Sequence, residues 1–536
     1  MTVSDVDEQR SEDAPPPRQD PPPLRERLVS ALPGGLLLGW LGPILVAAFA
    51  GALRFIRLGD PPEIMFDETY YAKDAFGLLR FGAEHETVEG ADDLLNAGNA
   101  EIFGDGGAFV VHPPVGKWII AAGEWAFGMT PFGWRFGAAL IGALSVLLIA
   151  RIARRMTRST LLGCVAGLLL ALDGLHFTLS RIALLDIFLM FWILAAFGCL
   201  VVDRDRTRAR LAARMEGLAG ARRMGPWLGV RWWRVAAAVC MGLAVGTKWS
   251  ALFYVAAFGL LTVAWDYGAR RSSGLREPGR TWFLLDAVPA FFTVMLVGFA
   301  TYLATWTGWF LSSTGWGRDA VPVPADSPLP GPLASALSTL QALARYHVEA
   351  YSFHSGLDSD HDYQSTPWQW PLLLRPIIFW YRAYEPGQNG CAADRCSQAV
   401  LALGNPAIWW AAIPALIALW VWWLIYRDWR AGSVLLGYAA GWLPWFAFPD
   451  RTMFFFYAAP MLPFMVLALT LVIGAVVGPG AQAPRWSPMR RMVGASVAGT
   501  YLLLVIAVFY YFYPVLAGEI VPWDSWNARM WLQSWI

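Results

Sequence analysis

The sequence predicts an all-α protein that threads a membrane many times, and three observations carry that prediction. Hydrophobic residues make up 57% of the 536, charged residues only 15%, and mean hydropathy is +0.43. A soluble domain carries roughly 25% charged residues, so most of this surface is not wetted. Thirty tryptophans point the same way, because the indole ring, apolar with a single N–H, favours the membrane–water interface. Third, eleven apolar segments approach the about 20 residues that a helix needs to cross a bilayer core. They begin near Gly35, Phe132, Leu161, Ile182, Val235, Ala251, Phe283, Pro406, Ser433, Met453 and Val493. The pair meeting near Trp249 is the least clearly divided, and Asp186 lowers the hydropathy of the fourth.

Ahead of the first span, SEDAPPPRQDPPPLRER offers nothing to bury, so residues 1–34 read as a disordered cytoplasmic tail. No cleavable signal peptide is recognisable there, and the first apolar run serves as a signal anchor. Basic residues set the orientation, since loops rich in Lys and Arg stay inside. With the N-terminus in the cytoplasm, Arg151, Arg154, Arg155 and Arg158 fall inside, as does the cluster from Arg204 to Arg234. So do Arg270, Arg271, Arg276, Arg280, Arg427, Arg430, Arg485, Arg490 and Arg491. Eleven spans then place the C-terminus outside. The expected division is an N-terminal catalytic transmembrane module over 35–306, including a first extracytoplasmic loop over 58–131. A second extracytoplasmic loop covers 307–404, and a four-helix transmembrane module covers 405–536. The formal net charge of +1 gives no reason to invoke nucleic acid.

Both outer loops are aromatic-rich. LLRF, VVHPPVGKWIIAAGEWAF and PWQWPLLLRPIIFWY are expected as helices lying in the interface plane. Long loops of this kind are usually functional. Cys164, Cys199 and Cys240 sit in apolar runs and act as small hydrophobes. Cys391 and Cys396 share a polar outer loop, where a small disulfide is one option that spacing alone does not establish.

Chemistry concentrates at the outer boundary. The three lysines of the chain, Lys73, Lys117 and Lys248, all map there, with Arg135 and Arg181. One such cation would ordinarily be snorkelling to headgroups. Five converging with carboxylates point to an anionic ligand such as a lipid phosphate. Asp67 and Glu68 follow the first span in MFDETYYAKDAF. An acidic pair there is ordinarily a helix start complementing the dipole, but here aromatics and Lys73 accompany it. Asp186, in RIALLDIF, is costly inside an apolar span unless paired, and Arg181 or another cation is the expected partner. His112, in HPPVGKW, supports a turn or touches ligand, while Pro113 and Pro114 fix the entry of the next helix. His354 and His361 with Asp358, Asp360 and Asp362 suggest a metal site, but such a stretch is more often a solvated loop; no metal is expected.

The order of these motifs resembles the protein O-mannosyltransferase family: DE after the first span, HPPVGK before the second, RIALLD opening the fourth, then GTKW and HDYQSTPWQWPLLLRPI. The resemblance runs from Leu58 over nearly the whole chain. It implies a C-type glycosyltransferase fold with about 11 transmembrane helices, and transfer of mannose from polyprenyl-phosphate-mannose to Ser/Thr hydroxyls of exported proteins. Fungal and animal members carry a three-repeat lectin-like insertion in the second outer loop. This loop, under a hundred residues, has no room for one, so the chain resembles the bacterial branch, in the plasma membrane. Carried over, Asp67 matches the catalytic base and Glu68 its partner in acceptor binding. Arg135 and Arg181, with Lys117 and Lys248, become candidate phosphate contacts, oriented by Asp186. Single-base attack with phosphate departing implies inversion. No cofactor is implied; unfolded or translocating acceptor proteins, the bilayer and the secretion translocon are the expected partners.

Two other readings remain. A relative that modifies a lipid or glycan acceptor would share the fold, although the HDYQSTPWQWPLLLRP and GTKW motifs favour a protein acceptor. A transporter is disfavoured because the charges crowd the boundary rather than the midplane, and no internal repeat is evident.

Overall fold

Apolar segments become helices at residues that cap them. Thr130 accepts from the backbone N–H of Gly133, Ser159 from Leu162, Asn405 from Ala407, Asp428 from Arg430 and Ser487 from Arg490. Each bond satisfies an N–H that the first turn leaves unpaired. The computed structural model describes residues 23–29, 35–216, 223–324, 326, 328–478 and 487–536. Its principal helices run in this order: α1 (Leu24–Leu28), α2 (Leu36–Phe55), α3 (Glu68–Phe81), α4 (Val115–Phe127), α5 (Pro131–Thr157), α6 (Thr160–Ala171), α7 (Leu185–Glu216) and α8 (Trp232–Val245). After these come α9 (Ala251–Ser272), α10 (Pro278–Thr305), α11 (Gly331–Ser355), α12 (Pro406–Tyr426), α13 (Trp429–Trp442), α14 (Phe455–Val477) and α15 (Pro488–Ala517).

Among the described residues, seven of these helices are long and apolar enough to cross a membrane: α5, α7, α9, α10, α12, α14 and α15. The four remaining expected spans coincide with α2, α6, α8 and α13, which are shorter or only partly apolar. One cause is visible at α6. Asp173 breaks the segment and caps a separate helix, Gly174–Leu179, through the N–H of His176. Its other oxygen accepts from Trp409 Nε1 at 2.7 Å and from the Asn405 N–H at 3.1 Å, tying the break to the start of α12.

α7 and α14 form the centre of the bundle, with most side chains buried. By contrast α10, α12 and α15 turn apolar side chains such as Leu296, Ile417 and Leu503 outward, as lipid-facing helices do.

The described residues are mostly helical, as expected, and outside the spans they add two small antiparallel sheets. β1 (His85–Thr87) pairs with β2 (Phe103–Gly107), and β3 (Ile377–Tyr384), β4 (Cys396–Ala402) and β5 (Ile520–Pro522) make a second sheet in that order. Of the expected interfacial helices, LLRF falls in α3 and KWIIAAGEWAF in α4. IIFWYRAY is instead strand β3, because β-branched and aromatic residues suit a pleated, half-buried surface. Cys391 and Cys396 are disulfide-bonded between β3 and β4. In the expected tail, Leu24–Leu28 is helical, with Leu28 buried against Leu211, Leu228 and Ala269; residues 1–22 of that tail lie outside the described residues. At the far end, buried Trp535 donates to the Leu373 carbonyl at 2.6 Å, and Arg375 donates to the Ile536 carbonyl at 2.9 Å. The C-terminal residues therefore pack on the second loop.

Candidate active site

The turn carrying Asp67 is held from three sides. Phe66 adopts φ +48°, a left-handed conformation unfavourable for a bulky residue. Its ring is wedged among Phe379 of β3 and Phe454 and Phe456 of α14's entry, with centroids 5.2–6.0 Å away. Upstream, Arg382 of β3 donates to both Glu63 oxygens at 2.7 and 3.0 Å. Downstream, Glu68 is fully buried. It accepts from Arg135 Nε and Nη2, both at 2.9 Å, and from the N–H groups of Met65 and Ala183, both at 3.0 Å.

That leaves Asp67 as the free carboxylate. Its side chain makes no hydrogen bond or ion pair with any described residue. Burial pushes its pKa up to about 6, against an opposing pull from Lys248 and with a further push from Asp186. Those two side chains form a buried pair at 2.7 Å, linking the first turn of α7 to the GTKW turn between α8 and α9. The Lys248 ammonium also lies 5.6 and 5.4 Å from the ring centroids of Phe456 and Tyr457, within range of cation–π attraction.

Beside this pair opens a cavity of about 540 Å³, lined among others by His112, Asp186, Lys248, His354, Arg451 and Tyr457. The His112 ring lies tilted against that of His354, with centroids 5.0 Å apart, and its Nδ1 is buried without a hydrogen-bond partner among the described residues. Burial, with Lys248 and the other nearby cations, holds His112 well below the ordinary imidazole range, so it is neutral. His354 bonds the Val111 carbonyl at 2.9 Å. Arg451 donates to the His354 carbonyl but keeps a buried Nε without a partner among the described residues.

The structure thus brings together Asp67, Asp186, Lys248 and His112 and separates the other expected residues. Arg135, fully buried, is taken up by Glu68 and by the carbonyls of Leu58, Pro61 and Glu63 at 3.4, 2.8 and 2.7 Å. Arg181 donates to the carbonyls of Arg54, Ile56 and Arg57 at 2.8, 2.6 and 2.9 Å, gripping the end of α2. Lys117 is fully buried between Glu84 and Asp74, 3.6 Å from the latter. Lys73 pairs with Asp92 at 2.9 Å. Of the residues expected at the donor phosphate, Arg135, Arg181 and Lys117 thus already have protein partners in this structure, which link the Asp67 turn, the end of α2 and α3 to the helices around them. Glu68, expected in acceptor binding, is likewise bonded to protein groups. Sequence reasoning missed Arg451. Its signal was available: apart from Arg181 and Lys248, it is the one cation in a short turn that the charge rule leaves outside. Among the described residues no three His, Cys, Asp or Glu side chains are placed to hold a metal ion; His361 lies against Phe66 and Phe454 instead.

Comparison with known proteins identifies the architecture. Residues 44–271 match the family model described as dolichyl-phosphate-mannose-protein mannosyltransferase, and residues 339–535 match the C-terminal four-TMM region of protein O-mannosyltransferase. A polyprenol-phosphate-mannose–protein mannosyltransferase of Mycolicibacterium smegmatis is 42% identical over 509 residues, covering 93% of each chain. The chain belongs to this family. Its counterpart from Mycobacterium tuberculosis is 41% identical over 93% of this chain and 92% of that protein. The one from Corynebacterium glutamicum is 34% identical over 92% of both. Among solved structures, a chain of the S. cerevisiae protein O-mannosyltransferase Pmt1-Pmt2 complex bound to the sugar donor superposes with a TM-score of 0.70. It covers 95% of this chain and 94% of that one at 17% identity, which establishes the C-type glycosyltransferase fold in a multi-pass membrane protein.

Proposed function

We propose that the chain transfers mannose from polyprenyl-phosphate-mannose to Ser or Thr hydroxyls of exported proteins, with Asp67 as general base and inversion at the anomeric carbon. The observation that carries this reading is the contrast between neighbours: Glu68 is saturated with partners, while Asp67 is unbonded and raised to about 6 beside the Lys248–Asp186 pair. A base must be ionised yet free to take a proton, and a pKa just below the working pH meets both needs.

In the proposed step Asp67 takes the hydroxyl proton as the acceptor oxygen bonds to the anomeric carbon. The bond from that carbon to the phosphate oxygen breaks, and polyprenyl phosphate leaves with the electron pair. Its charge is met by Lys248 and Arg451, which line one cavity; fixed cations in a partly dry site stabilise developing charge strongly. Neutral His112 adds a polar contact. With these cations in place no divalent metal or other cofactor is needed. One carboxylate acting on one face, with phosphate departing from the other, gives inversion from a β-linked donor.

The protein substrate is taken from the family. The orientation proposed with it has the site, the second loop and the C-terminus outside the plasma membrane and the N-terminus inside, and the arginine-rich end of the bundle remote from Asp67 supports it, since loops rich in Lys and Arg stay inside. The secretion translocon is the natural neighbour of an enzyme that modifies emerging chains. Radiolabel transfer from polyprenyl-phosphate-mannose to a Ser/Thr/Pro-rich peptide by the purified chain tests the reaction. Asp67→Asn should lower it by about 10²–10⁴ with donor binding retained. Label passing to a lipid acceptor and not to peptide would replace the reading with a lipid-directed transferase.

A further inference from the structure

A second cavity, of about 1100 Å³, opens at the other end of the bundle. Asp186 and Arg204 both belong to α7, eighteen positions apart, which is about 27 Å along a helix and close to the thickness of a bilayer's hydrocarbon core. The cavity is therefore independent of the candidate site and faces the opposite membrane surface.

Its mouth is strongly basic. Arg27, Arg158, Arg204, Arg208, Arg427 and Arg430 line it, against two carboxylates, Asp205 and Asp428. Those carboxylates are already engaged, Asp205 by Arg158 at 2.9 Å and Asp428 by Arg430 at 2.6 Å. Arg208 and Arg427 make no side-chain hydrogen bond or ion pair with any described residue, and the Arg204 Nε is buried without a hydrogen-bond partner among them. Aromatic faces hold the guanidinium groups in place: Arg204 lies 3.7 Å from the Trp429 ring centroid, and Arg427 lies 4.9 Å from that of Trp423.

Behind the mouth the wall is apolar. Leu260, Leu261 and Ala264 of α9 face Leu435, Leu436 and Ala439 of α13 across it. From Trp429 to Ala439 the helix rises about 15 Å, half of a ~30 Å hydrocarbon core. A site for a soluble anion needs no such wall, and a site for a neutral lipid needs no such charge.

We propose that this cavity binds an anionic phospholipid of the adjacent leaflet, its phosphate against Arg204, Arg208 and Arg427 and an acyl chain along the α9–α13 wall. Basic pockets between transmembrane helices on the positive side of a membrane recognise headgroups in this way. The charge bias places the site in the cytoplasmic leaflet, away from the lipid-linked donor's reacting end. A bound lipid would brace α7, whose first turn carries Asp186, against α9 and α13.

The test uses the full chain, purified and delipidated in detergent. Phosphatidylglycerol and phosphatidylcholine of matched acyl chains are added in turn, and retained lipid is counted by native mass spectrometry alongside the Tm. Inorganic phosphate forms a third arm. Phosphatidylglycerol should be retained about tenfold or more over phosphatidylcholine and should raise the Tm. Arg427→Gln, at an exposed position that leaves the fold intact, should weaken that retention, and Arg208→Gln with Arg427→Gln should abolish the preference. Arg271→Gln, an exposed arginine at the same end but outside the cavity, should leave it unchanged. Equal retention of both lipids, equal loss in Arg271→Gln, or retention unaltered by the paired substitution would each overturn the proposal. A Tm rise with inorganic phosphate equal to that with lipid would make the cavity a soluble-anion site and overturn it too.

Discussion

Arg135→Ala separates a latch from a phosphate contact. Arg135 is fully buried and bonds both oxygens of an equally buried Glu68 at 2.9 Å. Truncation leaves that carboxylate with only the N–H groups of Met65 and Ala183. Removing one member of a buried ion pair costs about 3–5 kcal/mol, because the other charge stays behind uncompensated, and the carbonyls of Pro61 and Glu63 lose their donors as well. The expected result is a lower Tm and a lower yield of folded protein. In the fraction that folds, transfer should slow because the Asp67 turn has lost its anchor, while donor affinity stays close to wild type. Glu68→Gln should destabilise as well. The double variant should be more stable than the sum of the two single losses implies, since residues in contact are coupled. Tm by intrinsic fluorescence, donor Kd and single-turnover transfer, all on the purified chain, read these quantities separately. An unchanged Tm with donor affinity down tenfold, about 1.4 kcal/mol, would return Arg135 to the phosphate and refute the latch. Arg181, bonded to three carbonyls at the end of α2, should behave as Arg135 does.

The fold was largely legible because spans announce themselves in hydropathy. Each of the eleven expected starts falls within about five residues of a helix start. What hydropathy cannot show is a break inside an apolar run. Asp173 interrupts α6 for reasons that lie in its partners Asn405 and Trp409, more than 230 positions away. β3 was missed for a related reason: a short apolar run fits either period, and only its pairing partner decides. At the candidate site, the motifs pointed to residues of which the structure brings only some together, and they did not show which side chains partner which. Arg135 and Glu68 lie 67 positions apart, and the charge rule marks each as functional without saying that they satisfy one another. The same holds for Lys117, whose partners Asp74 and Glu84 come from α3 and the start of the β1 hairpin. Arg270 shows the converse. It reads as a loop cation at the cytoplasmic end, yet it is buried and paired with Asp286 at 2.8 Å, so Arg271 is the benign control at that end. Asp67 was singled out with Glu68 as an acidic pair after the first span and through the family resemblance, and the contrast between the two carboxylates is purely three-dimensional.

Transfer should lose rate as pH falls through about 6, because the active form of Asp67 is the ionised one and burial raises its pKa from 3.8 to that value; kcat/KM flat between pH 5 and 8 would remove Asp67 as the base. Chelation by EDTA should leave transfer unaffected, while Arg451→Ala cuts it at least about tenfold and Arg271→Ala does not; restoration of a chelated enzyme by Mn²⁺ or Mg²⁺ would discard the cation-pair mechanism. Membrane-impermeant thiol labelling from outside should reach a cysteine placed at Ser534 and miss one placed at Ser11, and the reverse pattern would invert the topology together with the site. Asp67→Glu keeps a carboxylate and adds one methylene, about 1.5 Å of reach. In a mobile loop the backbone would retreat and absorb it. Here Phe66 is packed among three rings and Glu68 is fixed by Arg135, so the turn cannot move and the base overshoots the acceptor hydroxyl. A misplacement near 1 Å costs about 10²-fold in rate, so Asp67→Glu should bind donor normally and turn over at about a hundredth of the wild-type rate. Turnover equal to wild type would mean that Asp67 supplies charge alone, since a field tolerates that displacement and a proton transfer does not.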